Sequence, residues 1–201
     1  MKVNKLTGRV LFGNILKPKS YDLGQGKFVE DPHGSYQLTL VVDENHKDYL
    51  AFMEAVNQKK DEIKSSDKYK KLQNVVFSMK DKPHTEKDGT VVQGKRQITL
   101  KRNAVNKNND NVSIDIYDKF NQPYRPENEI GFGSEVQVAF MVGDTYIQKD
   151  NTWYLTLYLL AVMIEKEASS SYGFEVHATD VAETVAREMD GEIIDEEKLP
   201  F

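Results

Sequence analysis

Apolar and polar residues alternate with a period of two through much of the first 165 positions, the pattern of strands with one buried face. Tyr36, Leu38, Leu40 and Val42 alternate with Gln37 and Thr39, and Ile98 and Leu100 alternate with Thr99 and Lys101. Val136, Val138, Phe140 and Val142 mark a strand over 135–142, and the longest run predicts a last strand over 153–165. Shorter signals fall at 75–79 and at Val112, Ile114 and Ile116, with a turn at Asp88-Gly89. The opening stretch, 6–16, contains Gly8 and Gly13, where a bulge or sharp bend is expected. Residues 17–34 hold Pro18, Gly24, Gly26, Pro32 and Gly34 and read as a long loop. Between His46 and Lys71 the period changes. Tyr49, Phe52, Met53, Val56 and Ile63 recur near helical spacing with Lys and Glu opposite, predicting one amphipathic helix that breaks around Ser65-Ser66.

Short-spaced strands with one helix inserted midway predict a mainly β protein rather than an alternating α/β one. The count fits a five-stranded oligonucleotide-binding (OB) barrel with an inserted α-helix, occupying residues 1–173 with the helical insertion at about 46–71. Residues 174–201 form an acidic C-terminal tail. In it, Asp180 and Glu183 can make a capping box, and Val181, Val185 and Met189 supply a thin apolar stripe, predicting a short helix over 180–189. Beyond Met189 the composition is that of a disordered segment.

Composition narrows the chemistry. With no cysteine among 201 residues, disulfides, thiolate metal sites and thiol nucleophiles are excluded. The longest apolar run, Leu157 to Ile164, is too short to span a bilayer as a helix, and the charged N-terminus lacks the apolar stretch of a signal peptide. A soluble protein of the cytoplasm is the expectation. The formal net charge of −5 is unevenly spread: residues 175–201 carry nine acids and two bases, whereas 59–107 carry 14 bases and six acids. An acidic end and a basic middle on one chain suggest an anionic ligand and a tail that mimics it.

Catalysis finds no support. His33, His46, His84 and His177 are scattered, and Asp115 and Asp118, three apart on a strand, face opposite ways. Gly131-Phe132-Gly133-Ser134 precedes a strand and so lacks the helix N-terminus that a phosphate-cradling loop needs. No enzyme activity, cofactor or metal is expected. Binding is better served. Single strands are held by cations along the phosphates and aromatic faces under the bases. The basic middle offers Lys80, Lys82, Lys95, Arg96, Lys101 and Arg102. Phe77, Tyr117, Phe120, Tyr124, Tyr146, Trp153, Tyr154 and Tyr158 lie nearby in the chain or in neighbouring predicted strands. Lys101 stands out, because period two turns it away from the apolar face of Ile98 and Leu100. In OB barrels the loops joining the first two and last two strands frame the groove. Here they would be 17–34, with Lys17, Lys19, Tyr21 and Lys27, and 143–152, with Tyr146 and Lys149. Tyr117 and Tyr154 complete the candidate set. The tail ends Asp195-Glu196-Glu197-Lys198-Leu199-Pro200-Phe201, an acidic run closed by an aromatic, which suits a docking peptide more than a solubility tag.

Three stretches carry a resemblance to bacteriophage single-stranded DNA-binding proteins of the replication-accessory family. They are 8–21 leading to 35–42, then Ile98-Thr99-Leu100-Lys101, then Ile114-Asp115-Ile116-Tyr117 with Ile130-Gly131-Phe132-Gly133-Ser134, 136–142 and 155–165. The tip Leu199-Pro200-Phe201 also resembles the end of bacterial single-stranded DNA-binding proteins. The resemblance implies non-catalytic, sequence-independent coating of single-stranded DNA in replication, recombination and repair. It also implies a DNA-contacting cation at Lys101 and a loop aromatic at Tyr146. Its further implications are a homodimer, and a tail (Asp195, Glu196, Glu197, Leu199, Pro200, Phe201) that competes for the groove and recruits replication proteins such as DNA polymerase. The competing expectation is a phage structural or assembly protein, its barrel binding another protein and its tail serving as the docking peptide.

Overall fold

The computed structural model describes residues 2–168; the expected tail, the helix over 180–189 and the terminal motif lie outside them. Nine strands and two helices follow in order: β1 (Asn4–Asp22), β2 (Lys27–Glu30), β3 (Ser35–Asp43), α1 (Lys47–Ser65), α2 (Asp67–Lys70), β4 (Val76–Met79), β5 (Asp81–Thr85), β6 (Val91–Asn103), β7 (Asp115–Asp118), β8 (Glu135–Ile147) and β9 (Thr152–Lys166). Five of them close a mixed barrel in the order β1, β3, β6, β9, β8 and back to β1. All neighbours are antiparallel except β6 and β9, which run parallel and meet at one pair, Lys101 and Tyr158. The mainly β barrel with its inserted helix is therefore present.

The alternating apolar residues fill the interior. Leu6, Leu38, Leu40, Ile98, Leu100, Val136, Val138, Phe140, Leu159 and Val162 are fully buried. The helix plugs one end: Phe52 packs 5.8 Å from Phe140 and 5.7 Å from Tyr49, with Val56 and Ile63 buried behind. Polar ties fix its angle. Thr7 Oγ1 donates to Asp48 at 2.6 Å, and Lys59 Nζ lies 2.8 Å from Asp144. The predicted break falls at Ser66, whose extended backbone ends α1 while its hydroxyl donates to the Ile63 carbonyl and accepts the Tyr69 N–H that starts α2.

Several expectations change. Residues 17–34 are not a loop: β1 continues to Asp22 and folds back on β2, with Tyr21 opposite Phe28. The irregularities in β1 lie between Val10 and Phe12 and between Asn14 and Lys19; Gly8 sits in regular pairing opposite Val136. β8 and β9 extend to Ile147 and from Thr152, shrinking the expected loop over 143–152 to 148–151. The 112–116 signal yields only the short β7, since the Val112 N–H goes to Ala104 instead of a strand.

The long bend in β1 is held by one carboxylate. Glu129 accepts the N–H groups of Ile15 (2.8 Å), Leu16 (3.1 Å) and Lys17 (3.2 Å), which the irregular pairing with β3 leaves without strand partners. Glu129→Ala is expected to lower stability by about 1–3 kcal/mol, read as a reduced urea midpoint in far-ultraviolet circular dichroism. An unchanged midpoint would mean that solvent replaces the carboxylate at no cost.

Candidate nucleic-acid interface

One outward row crosses all five barrel strands. Asn14 of β1 pairs with Gln37 of β3, Gln37 with Lys101 of β6, Lys101 with Tyr158 of β9, and Tyr158 with Met141 of β8. The adjacent row, Phe12, Thr39 and Thr99, is joined by a 2.9 Å bond between the two threonine hydroxyls. The intervening residues, Leu38 and Leu100, point into the barrel and are fully buried.

Cations gather on this face without counter-charges. Lys80 follows β4, and its carbonyl accepts the Thr99 N–H at 3.2 Å. Lys82 stands opposite Gln97, in the same phase as Thr99 and Lys101. Among the described residues none of Lys80, Lys82 and Lys101 makes an ion pair. Lys101 is exposed as a residue, yet desolvation by the surrounding protein and the nearby Lys80 hold its ammonium below the usual lysine range.

Aromatic rings flank the cations. Trp153, Leu155 and Leu157 face inward and are buried, so Tyr154 and Tyr158 face outward, half-exposed and about 13 Å apart at the usual strand rise. Tyr154 lies between Thr145 and Ser78. Burial, and the neighbouring Asp150, push its hydroxyl pKa up, so it remains a neutral phenol. Tyr117 continues the outward side further along β9, opposite Met163.

The remaining candidates fall elsewhere. Arg96 and Arg102 share the phase of Ile98 and Leu100, opposite to Lys101, and the structure does not bring them to the row. Arg96 is bound by Asp81 at 2.8 Å and lies 3.7 Å from Glu44, while Arg102 donates to the Leu160 carbonyl at 3.3 Å. Tyr146 is in phase with Trp153 rather than Tyr154. Its ring packs 5.1 Å from Trp153 beneath Lys68 at 4.9 Å, and its hydroxyl donates to Asn151. Lys149 is exposed in the turn beyond Tyr154. Lys17, Lys19 and Tyr21 lie on the β1–β2 hairpin at the far end, where Lys17 pairs with Glu30 at 2.7 Å and Tyr21 meets Phe28 edge-on at 5.3 Å. By sequence, Tyr158 was named among the nearby aromatics but left out of the candidate set, and Gln37 and Asn14 were not proposed as contacts. The Tyr154, Thr156, Tyr158 alternation against Leu155, Leu157 and Leu159 is the signal that could have promoted the first.

Among the described residues there is no group of three or more His, Asp or Glu that could hold a metal ion, and no helix long and apolar enough to cross a membrane.

The architecture is that of solved phage single-stranded DNA-binding proteins with the OB fold. The chain superposes on gp2.5, a single-stranded DNA-binding protein encoded by bacteriophage T7, with a TM-score of 0.62 at 17% identity, covering 86% of this chain and 96% of that one. It superposes on the single-stranded DNA-binding protein of bacteriophage Enc34, solved in complex with ssDNA, with a TM-score of 0.55 at 14% identity, covering 82% of this chain and 86% of that one. No protein-family model and no curated protein matches the chain. At these identities the likeness is one of fold.

The lowered pKa of Lys101 has a direct readout. A larger share of its amine is neutral at mildly alkaline pH, so an acylating reagent is expected to label Lys101 ahead of other exposed lysines, as mapped by peptide mass spectrometry. Labelling at the common rate would mean that its surroundings are as wet as an open surface.

Proposed function

We propose that the protein binds and protects single-stranded DNA, without catalysis and largely without regard to sequence, during phage replication and recombination in the host cytoplasm. The observation that carries this reading is the outward face on which unpaired Lys80, Lys82 and Lys101 lie beside Tyr154 and Tyr158. Ammonium groups can meet phosphates while the rings accept bases, and neither contact reads base identity. The fold shared with a phage protein solved in complex with ssDNA supports it. The β1–β2 hairpin and the 148–151 turn, at opposite ends of this face, stand where OB barrels frame their ligand, so Lys17, Lys19, Tyr21 and Lys149 are flanking contacts.

The acidic tail is proposed to act twice. Its charge lets it compete for the basic face as a tethered anion at about millimolar effective concentration. Its Leu199-Pro200-Phe201 end is proposed to dock replication proteins such as a DNA polymerase, with Asp195, Glu196 and Glu197 meeting a basic rim. A homodimer is part of the same proposal, and sedimentation tests it.

Each phosphate contact contributes about 0.7 to the slope of log affinity against log salt on single strands. With roughly three to five contacts, the expected slope lies near −2 to −4, measured by anisotropy of a labelled dT oligomer. Lys80→Ala and Lys101→Ala should each flatten it by about 0.7. An affinity independent of salt would reject the reading. The chain ending at residue 187 should bind more tightly than the full chain, and equal or weaker binding would reject tail competition while leaving the coating role intact.

A further inference from the structure

We propose that Tyr158 is the aromatic platform of this face and that Gly143 positions it, making the pair the element that selects single strands over duplex; this rests on the single-strand reading above. Tyr158 stands at the barrel closure, with Lys101 beside it on β6 and Met141 beside it on β8. Its ring leans diagonally across β8 onto Gly143, whose own direct partner is Thr156. A β-carbon at Gly143 would overlap Tyr158 Cε2 outright and sit 2.9 Å from Cδ2 and 3.2 Å from Cζ.

The glycine has no backbone reason to be there. Gly143 is absent from the positive-φ glycines Gly26, Gly89, Gly94 and Gly133, so its conformation is open to any residue. It also lies inside a long strand, where glycine costs conformational entropy and packing. The space it leaves is occupied by the tyrosine ring. Seated there, the ring packs against the β8 backbone at Gly143. With a methyl group at Gly143, the ring must turn to another staggered rotamer and leave this seat.

The ligand chemistry follows from the pair of groups. A ring fixed against the wall beside an unpaired ammonium suits a base whose face is free and whose phosphate lies about one side chain away. Duplex nucleic acid keeps its base faces stacked internally and offers only phosphates, so it gains from Lys101 but not from Tyr158. The tyrosine therefore contributes selectivity, and the lysines contribute attraction shared by both forms.

The test uses the full chain, a labelled dT oligomer, and a duplex of equal length. Tyr158→Ala should weaken single-strand binding about 5- to 150-fold, with little change in salt slope or duplex affinity, and Tyr158→Phe should restore most of the loss. Gly143→Ala should produce a comparable loss by displacing the ring. The double variant should bind no worse than Tyr158→Ala alone, because both changes remove one contact. If the glycine serves only to let the ring cover the strand, the variants will shift the denaturation midpoint and leave affinity and selectivity unchanged, which overturns the proposal. Additive losses overturn the role of Gly143. Should Gly143→Ala fail to fold, ultraviolet crosslinking of the wild-type protein to the oligomer decides: a crosslink at Tyr158 supports the platform, and crosslinks only elsewhere overturn it. A loss at Lys101→Ala with none at Tyr158→Ala rejects the platform alone. No loss at Lys80→Ala, Lys101→Ala or Tyr158→Ala rejects the underlying site.

Discussion

The far edge of β9 is the constraint on which the molecule turns. One edge of this strand pairs with β8 along its whole length. The other must also be satisfied, because a buried edge with unpaired N–H and C=O groups is costly. No single strand does so. β4 covers Thr152 to Leu155, β6 touches Tyr158, and β7 covers Ala161 to Ile164, all running parallel to β9. Parallel neighbours cannot be joined by tight turns and need crossovers. That requirement gives the long insertion between β3 and β6 a purpose: α1 caps the barrel end, and the chain then returns as β4 at the edge of β9. The same closure sets Lys101 beside Tyr158, so a cation and a ring adjoin where β6 meets β9.

Charge on the protein is sorted by place rather than by amount. Lys95, Arg96, Lys59 and Lys17 each meet a carboxylate within 2.8 Å, on Asp43, Asp81, Asp144 and Glu30. Such partly exposed pairs add little to stability, but they remove those cations from the outward field. Lys80, Lys82 and Lys101 keep theirs, and the Lys101 ammonium is depressed first by desolvation and then by repulsion from Lys80. A chain of net charge −5 can thus present a local surface of the opposite sign.

Much of this was legible along the chain. The strands at 35–43 and 135–142, the helix and its break at Ser66, and the outward direction of Lys101 all follow from period-two and helical patterns. The two arginines show how the same rule is lost: Arg96 and Arg102 are even-numbered like Ile98 and Leu100, so parity alone turns them away from Lys101. Tyr146 was misplaced because β8 runs past the predicted loop, and its phase is that of Val142. The β1–β2 hairpin was hidden for another reason. β2 is four residues long, half-polar, and stable only because β1 overshoots the barrel to pair with it.

The sequence by itself determined which residues face in and which face out, because the pleat alternates side chains whatever the strand's neighbours are. It also determined that no cysteine chemistry operates and that charge is split between a basic middle and an acidic end. The tertiary structure decided which outward residues share a surface. Asn14, Gln37, Lys101, Tyr158 and Met141 are dispersed over most of the chain and form one row only through strand register. Register depends on bulges, on turns, and on the meeting of β6 with β9. These are relations between distant segments, which a local pattern does not contain.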